Sequence, residues 1–134
     1  MAAKPERTAA RLSREQVVTQ LSLAKEAFKR SGFIVGSPRW TSADFQDLDL
    51  FSAEEQSLAL RSVLDELKPE DYNGPHPPKH IAKEPKCAGK RMLQFSWESS
   101  FMGSKRMYLK FCLADHRFLL IRFHPDYQPN RFDG

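Results

Sequence analysis

A chain of 134 residues with a formal charge of +4, 40% hydrophobic and 28% charged residues has the size of one domain and the material for one modest core. No stretch approaches the roughly 18 consecutive apolar residues of a membrane span. Residues 1–12 contain no apolar run of secretory type, so the expectation is a cytoplasmic protein with no membrane partner. The two cysteines, Cys87 and Cys112, fit that compartment and point to no disulfide framework. Cys112 lies in a strand-like run and reads as a small core residue.

Charge is segregated along the chain. Residues 1–42 carry eight Lys/Arg against three Asp/Glu, residues 43–72 carry two against nine, and residues 73–134 carry eleven against five. Such a distribution suits a polyanion-binding surface built from the two ends, with the acidic middle turned away. Ordinary solvated faces are the plainer account of it on composition alone.

Residues 1–11 are short, polar and aperiodic, and are expected to be disordered. Ser13 and Gln16 form a capping-box pattern ahead of Val17, Val18, Leu21, Ala24 and Phe28, whose spacing predicts a helix of about four to five turns ending at Gly32. Phe33, Ile34 and Val35 make a short β-prone run, broken by Gly36-Ser37-Pro38. Trp40 to Leu50 reads as a short helix carrying Ala43, Phe45 and Leu48. Ser52 and Glu55 make a second capping box before the stripe Leu60, Val63, Leu64 and Leu67, and Pro69 opens one further turn before Tyr72. A long connection rich in Pro, Gly, Lys and His follows, from Asn73 to Lys90.

Beyond it the period changes to two. Leu93, Phe95 and Trp97 alternate with Gln94, Ser96 and Glu98; Met107, Leu109, Phe111 and Leu113 with Tyr108, Lys110 and Cys112; Leu119, Ile121 and Phe123 with Arg122 and His124. Each set predicts a strand with one buried and one wet face. The expected fold is α+β, with N-terminal helices packed on a small antiparallel sheet. Its boundaries are a single domain over 12–127, with a tail at 128–134. A three-residue turn at 115–117 places Phe111 opposite Ile121 and Leu109 opposite Phe123 on the core face, and Lys110 opposite Arg122 and Tyr108 opposite His124 on the wet face. A two-residue turn would carry Arg122 in among the leucines, at a desolvation cost.

Two cations, a phenol and an imidazole then share the wet face, with Glu98 at the end of the preceding strand. Cleavage of RNA by its own 2′-hydroxyl needs a base, an acid and positive charge beside the phosphate. His124, Tyr108 and Glu98 are the candidates for the first two roles. Arg122 and Lys110, with Lys79 and Lys83 from the long connection, are the candidates for phosphate binding. An ordinary solvated face is the plain alternative.

From about Ser13 to Tyr127 the sequence resembles the MqsR family of bacterial toxins, mRNA interferases with a RelE-like fold. The resemblance is carried by Asp47-Leu48-Asp49-Leu50, by Leu67-Lys68-Pro69-Glu70-Asp71-Tyr72 with Gly74-Pro75, by Met107-Tyr108-Leu109-Lys110-Phe111, and by Ile121-Arg122-Phe123-His124-Pro125. It implies a ribosome-independent endoribonuclease that cuts mRNA without a cofactor and is neutralised by a small cognate antitoxin. The family's strand tyrosine falls on Tyr108 and the basic residue ending its last strand on His124. Glu98, after Trp97, stands where some members have glutamine, and Asn73-Gly74 occupy the place of a family lysine. A non-catalytic RNA- or protein-binding module on the same fold is the rival reading.

Other groupings point less far. His76, His80 and Cys87 have a spacing that suits a metal only on a helix, which Pro77 and Pro78 prevent. Trp40 and Trp97 read as core or rim packing.

Overall fold

The structure is a computed structural model that describes residues 12–36, 38–74 and 92–126. Helix α1 (Arg14–Ser31) begins at the capping box, where Ser13 and Gln16 each satisfy the other's backbone N–H. Gly32 ends it at φ 71°, a backbone conformation glycine adopts without penalty. Strand β1 (Phe33–Val35) follows, then α2 (Pro38–Asp47) and α3 (Ala53–Glu66), whose Ser52–Glu55 box also forms. A 3₁₀ turn at Pro69–Asp71 leads to β2 (Leu93–Ser99), β3 (Lys105–Ala114) and β4 (Arg117–Pro125).

The strand order is β1-β4-β3-β2. β2, β3 and β4 are antiparallel, but β1 runs parallel to β4, pairing Phe33 with Phe118 and Val35 with Leu120. The sheet is therefore mixed and open, not purely antiparallel. Its first strand was legible as a β-prone run, but its partner was not, because three residues carry no register information of their own. Val17, Leu21, Ala24 and Phe28 of α1 and Leu60, Val63 and Leu64 of α3 bury themselves against Phe95, Leu109, Phe111, Phe118 and Phe123 of the sheet. Phe118 anchors this core, stacked on Phe111 at 4.6 Å and edge-on to Phe28 at 5.6 Å. Acidic α3 thus lies on the face opposite Tyr108 and Lys110, as the charge pattern led one to expect.

The β3–β4 register is reached by a different route from the one the sequence predicts. The turn has two residues, Asp115 and His116, both at positive φ (54° and 63°), which is the geometry of a type I′ hairpin. That turn pairs Ala114 with Arg117 and Phe111 with Leu120. A bulge between Lys110 and Phe111 then shifts the register, so that Lys110 still faces Arg122 and Tyr108 still faces His124. Ile121 is the extra residue. It sides with Cys112 and Leu119 in a second small cluster and not with Phe111, correcting its expected place in the main core.

That second face is also not wet. Tyr108 is 2% exposed, Lys110 7% and His124 6%, and Gln94 is buried with them. The strict alternation was real, but polar residues on this face satisfy one another instead of meeting water. Cys112, wholly buried on the same face, is disulfide-bonded, against the expectation drawn from compartment and count. Cys87, the chain's only other cysteine, lies outside the described residues. Among the described residues no helix is long and apolar enough to cross a membrane.

Glu66, the last residue of α3, ties that helix to the β2–β3 turn. Its carboxylate accepts from the Trp97 indole N–H at 2.8 Å and from the backbone N–H of Phe101 at 2.6 Å. Burial works against its charge, but hydrogen bonds from Trp97, Ser99, Phe101 and Ser100 outweigh it and hold its pKa below the ordinary carboxylate range. A depressed folded-state pKa contributes stability that is present above the unfolded value and lost as pH falls through the folded one. Glu66→Gln is therefore expected to lower the melting temperature at about pH 7, the gap to wild type closing below roughly pH 4. Thermal scans across pH check this.

The hairpin turn supplies a second test. His116 occupies the left-handed region where a side chain is strained, so His116→Gly is expected to stabilise the fold by about 0.5–1 kcal/mol, read as a higher urea midpoint.

Candidate functional site

The register assembles two rows across the face remote from α1 and α3. One row is Ser96, Tyr108 and His124; the next is Gln94, Lys110 and Arg122. The Tyr108 and His124 rings lie 5.1 Å apart, tilted by 33°. Tyr108 Oη donates to Gln94 Oε1 at 2.7 Å. Gln94 in turn donates from Nε2 to the Asn73 carbonyl at 3.4 Å, and its own carbonyl accepts from the Asn73 N–H at 2.8 Å. The polar chain so runs from the end of the 3₁₀ segment to the middle of the sheet. It fixes the phenol in one rotamer and leaves its proton on the oxygen.

His124 Nδ1 is 2.6 Å from the Pro125 carbonyl oxygen. A carbonyl only accepts, so Nδ1 carries hydrogen, and in the neutral ring Nε2 is the basic nitrogen. Lys110 lies between the two rows' partners, buried, and is engaged within the protein. The imidazole thus sits in a low-dielectric setting with a phenol beside it and a cation on the neighbouring strand. Such a group can take up a proton from a hydroxyl and return it to a leaving group.

Arg122 is committed elsewhere. Its Nε and Nη2 donate to Asp44 Oδ2 and Oδ1 at 2.9 and 3.0 Å, a bidentate pair across from α2, with the Asp44 side chain only 4% exposed. The guanidinium also lies 5.3 Å from the centre of the Trp40 ring, so Trp40 is neither core nor idle rim but a platform for this cation. The expectation that Arg122 offers its charge to phosphate is thereby weakened: that charge is largely neutralised by Asp44.

Glu98 stands apart. It is exposed, paired across the sheet with Arg106, and two strand positions beyond the row that holds Tyr108 and His124. The structure does not bring it to the imidazole. Lys79 and Lys83 lie outside the described residues, as do His76, His80 and Cys87. Among the described residues no group of three or more His, Cys, Asp or Glu could hold a metal ion.

Four participants escaped the sequence reading. Gln94 and Ser96 were visible as polar alternates in β2, but nothing marked them as buried. Asp44 lies on a helix face where Thr41, Asp44, Phe45 and Leu48 recur at helical spacing, a stripe hidden because two of its members are polar. Asp126 follows β4, buried, its Oδ2 accepting a short hydrogen bond from Ser96 Oγ. A single acid after His-Pro carries no periodic signal at all.

No family model matches the chain, and no curated protein or solved structure matches it either. The site therefore stands on its own geometry, of which the Asp44 contact is the first part to test. Asp44→Ala removes the carboxylate that the Arg122 guanidinium and the Phe123 N–H share. A loss on the order of 2–3 kcal/mol is expected in denaturant unfolding, less than for a fully buried pair because Arg122 keeps some contact with water.

Proposed function

We propose that this chain is an endoribonuclease of the mRNA-cleaving toxin type, cutting by attack of the ribose 2′-hydroxyl on the adjacent phosphate and neutralised by a small cognate protein. The observation that carries the reading is the Tyr108–His124 pair, held side by side with Nε2 as the basic nitrogen. In this mechanism Nε2 takes the 2′-hydroxyl proton as the 2′-oxygen bonds to phosphorus. The P–O5′ bond breaks, and the Tyr108 phenol, turning its O–H from Gln94 to the departing oxygen, supplies the proton. The products are a 2′,3′-cyclic phosphate and a 5′-hydroxyl. Lys110 provides the positive charge that the pentacoordinate phosphate requires. The RelE-like assignment of the fold belongs to the same proposal, supported by helices on one face of a small sheet and site residues on the other.

Access is the condition on this reading. Tyr108, Lys110 and His124 are nearly without solvent contact, so the face must open before RNA reaches Nε2. That burial, with the Asp44–Arg122 pair, favours the second reading: a binding module on which these polar residues are structural.

One assay separates the two. Purified wild type is incubated with a long single-stranded RNA, and the ends of any fragments are analysed for cyclic phosphate. His124→Ala is expected to lower the cleavage rate by about 10²–10⁴ while leaving the circular dichroism spectrum unchanged. Folded wild type that cuts no RNA, or His124→Ala that cuts as fast as wild type, removes the enzymatic reading.

A further inference from the structure

We infer that Asp126 is the group on this face that receives the ribose 2′-hydroxyl, and so makes the site choose RNA over DNA; the inference rests on the endoribonuclease reading above. Asp126 is 7% exposed. Its backbone N–H donates to the Arg106 carbonyl at 2.8 Å, continuing the β3–β4 ladder past Pro125, so that position 126 shares the face of position 124. One carboxylate oxygen, Oδ2, is held by Ser96, which faces Tyr108 across the sheet. The carboxylate is thereby drawn back over the Ser96–Tyr108–His124 row. The other oxygen, Oδ1, is buried and has no hydrogen-bond partner.

A buried acceptor without a partner is unfavourable, and among the described residues Thr41 Oγ1 is the only other buried side-chain nitrogen or oxygen in that position. An ionised carboxylate only accepts, so whatever satisfies Oδ1 must bring a donor. Phosphate oxygens are themselves acceptors and are repelled. The Watson–Crick edge of guanine presents two adjacent donors and would use both carboxylate oxygens, one of which Ser96 already holds. A single O–H fits a single free oxygen. The 2′-hydroxyl is that donor, and DNA lacks it: in the bound state its single proton points to Oδ1, and it turns to His124 Nε2, which takes it as the 2′-oxygen attacks phosphorus. Asp126 thus takes the place on this face where Glu98 was expected, as the carboxylate of the site, receiving the hydroxyl in the bound state and leaving its deprotonation to His124.

The test compares two oligonucleotides of one sequence, RNA and its 2′-fluoro analogue, which keeps an acceptor and an RNA-like sugar but has no donor. Binding is measured by fluorescence anisotropy on the full chain carrying His124→Ala, so that the RNA stays intact. RNA is expected to bind about tenfold more tightly than the 2′-fluoro strand, the preference that one hydrogen bond to a charged acceptor supplies. Adding Asp126→Ala is expected to bring the ratio to about one by weakening RNA binding alone. Asp126→Asn retains the size of the side chain and serves if the alanine variant fails to fold. Equal affinity for the two strands before any change at Asp126, or a ratio that Asp126→Ala and Asp126→Asn leave untouched, overturns the inference while the endoribonuclease reading stands. Failure of both strands to bind overturns both.

Discussion

Asp44 is the point on which the site's framework turns. β1 covers only the first part of the outer edge of β4, from Phe118 to Leu120, and among the described residues no strand pairs with the rest of that edge. Asp44 completes it: one oxygen accepts from the Phe123 N–H at 3.0 Å as well as from Arg122 Nε, and the other from Arg122 Nη2. A single carboxylate therefore replaces a missing strand, docks α2, and pins the segment of β4 from which His124 projects. The arrangement is costly to desolvate and holds only because every lone pair in use has a donor. It also explains why a short helix with a carboxylate on its buried face is stable: Asp44 attaches it to the sheet edge by hydrogen bonds, and Phe45 anchors it in the core.

How far the sequence led depends on whether the signal was local. Both capping boxes were readable, since Ser13 with Gln16 and Ser52 with Glu55 act within one helical turn, and both form. The stripe Leu60, Val63, Leu64 and Leu67 is buried throughout. In α1 the same reading placed Val18 in the stripe, yet it is 44% exposed, because the helix rotates its apolar face towards Val17 and Leu21. The Lys110–Arg122 and Tyr108–His124 pairings were also reached, by balancing the cost of burying a cation. What polarity could not reveal was the burial of the second face. Gln94, Tyr108, Ser96 and Asp126 look hydrophilic one at a time, and only the register shows that they can pair with each other.

The second face is accordingly neither a typical core nor a typical surface. At one end it is an apolar patch of Met92, Cys112, Leu119 and Ile121; at the other it is a network of hydrogen-bonded polar groups. In a low-dielectric setting such groups hold their partners firmly, which favours defined rotamers and a defined histidine tautomer. The same setting makes any polar atom left over conspicuous. A face organised in this way holds its polar groups in set positions relative to one another.

The hairpin carries a lesson about how such a face persists through change in the chain. The tight turn at Asp115-His116 sets every pair from Ala114 to Phe111 one residue out of step with the pairs below, and the bulge at Ile121 takes up the difference. Turn length and bulge are thus two settings of one adjustment. A relative with one more residue in the turn and none to spare at position 121 would keep Tyr108 against His124 and Lys110 against Arg122. Insertions at the tip and deletions in the strand can offset each other, and alignments that treat the two places independently will misplace the histidine by one position.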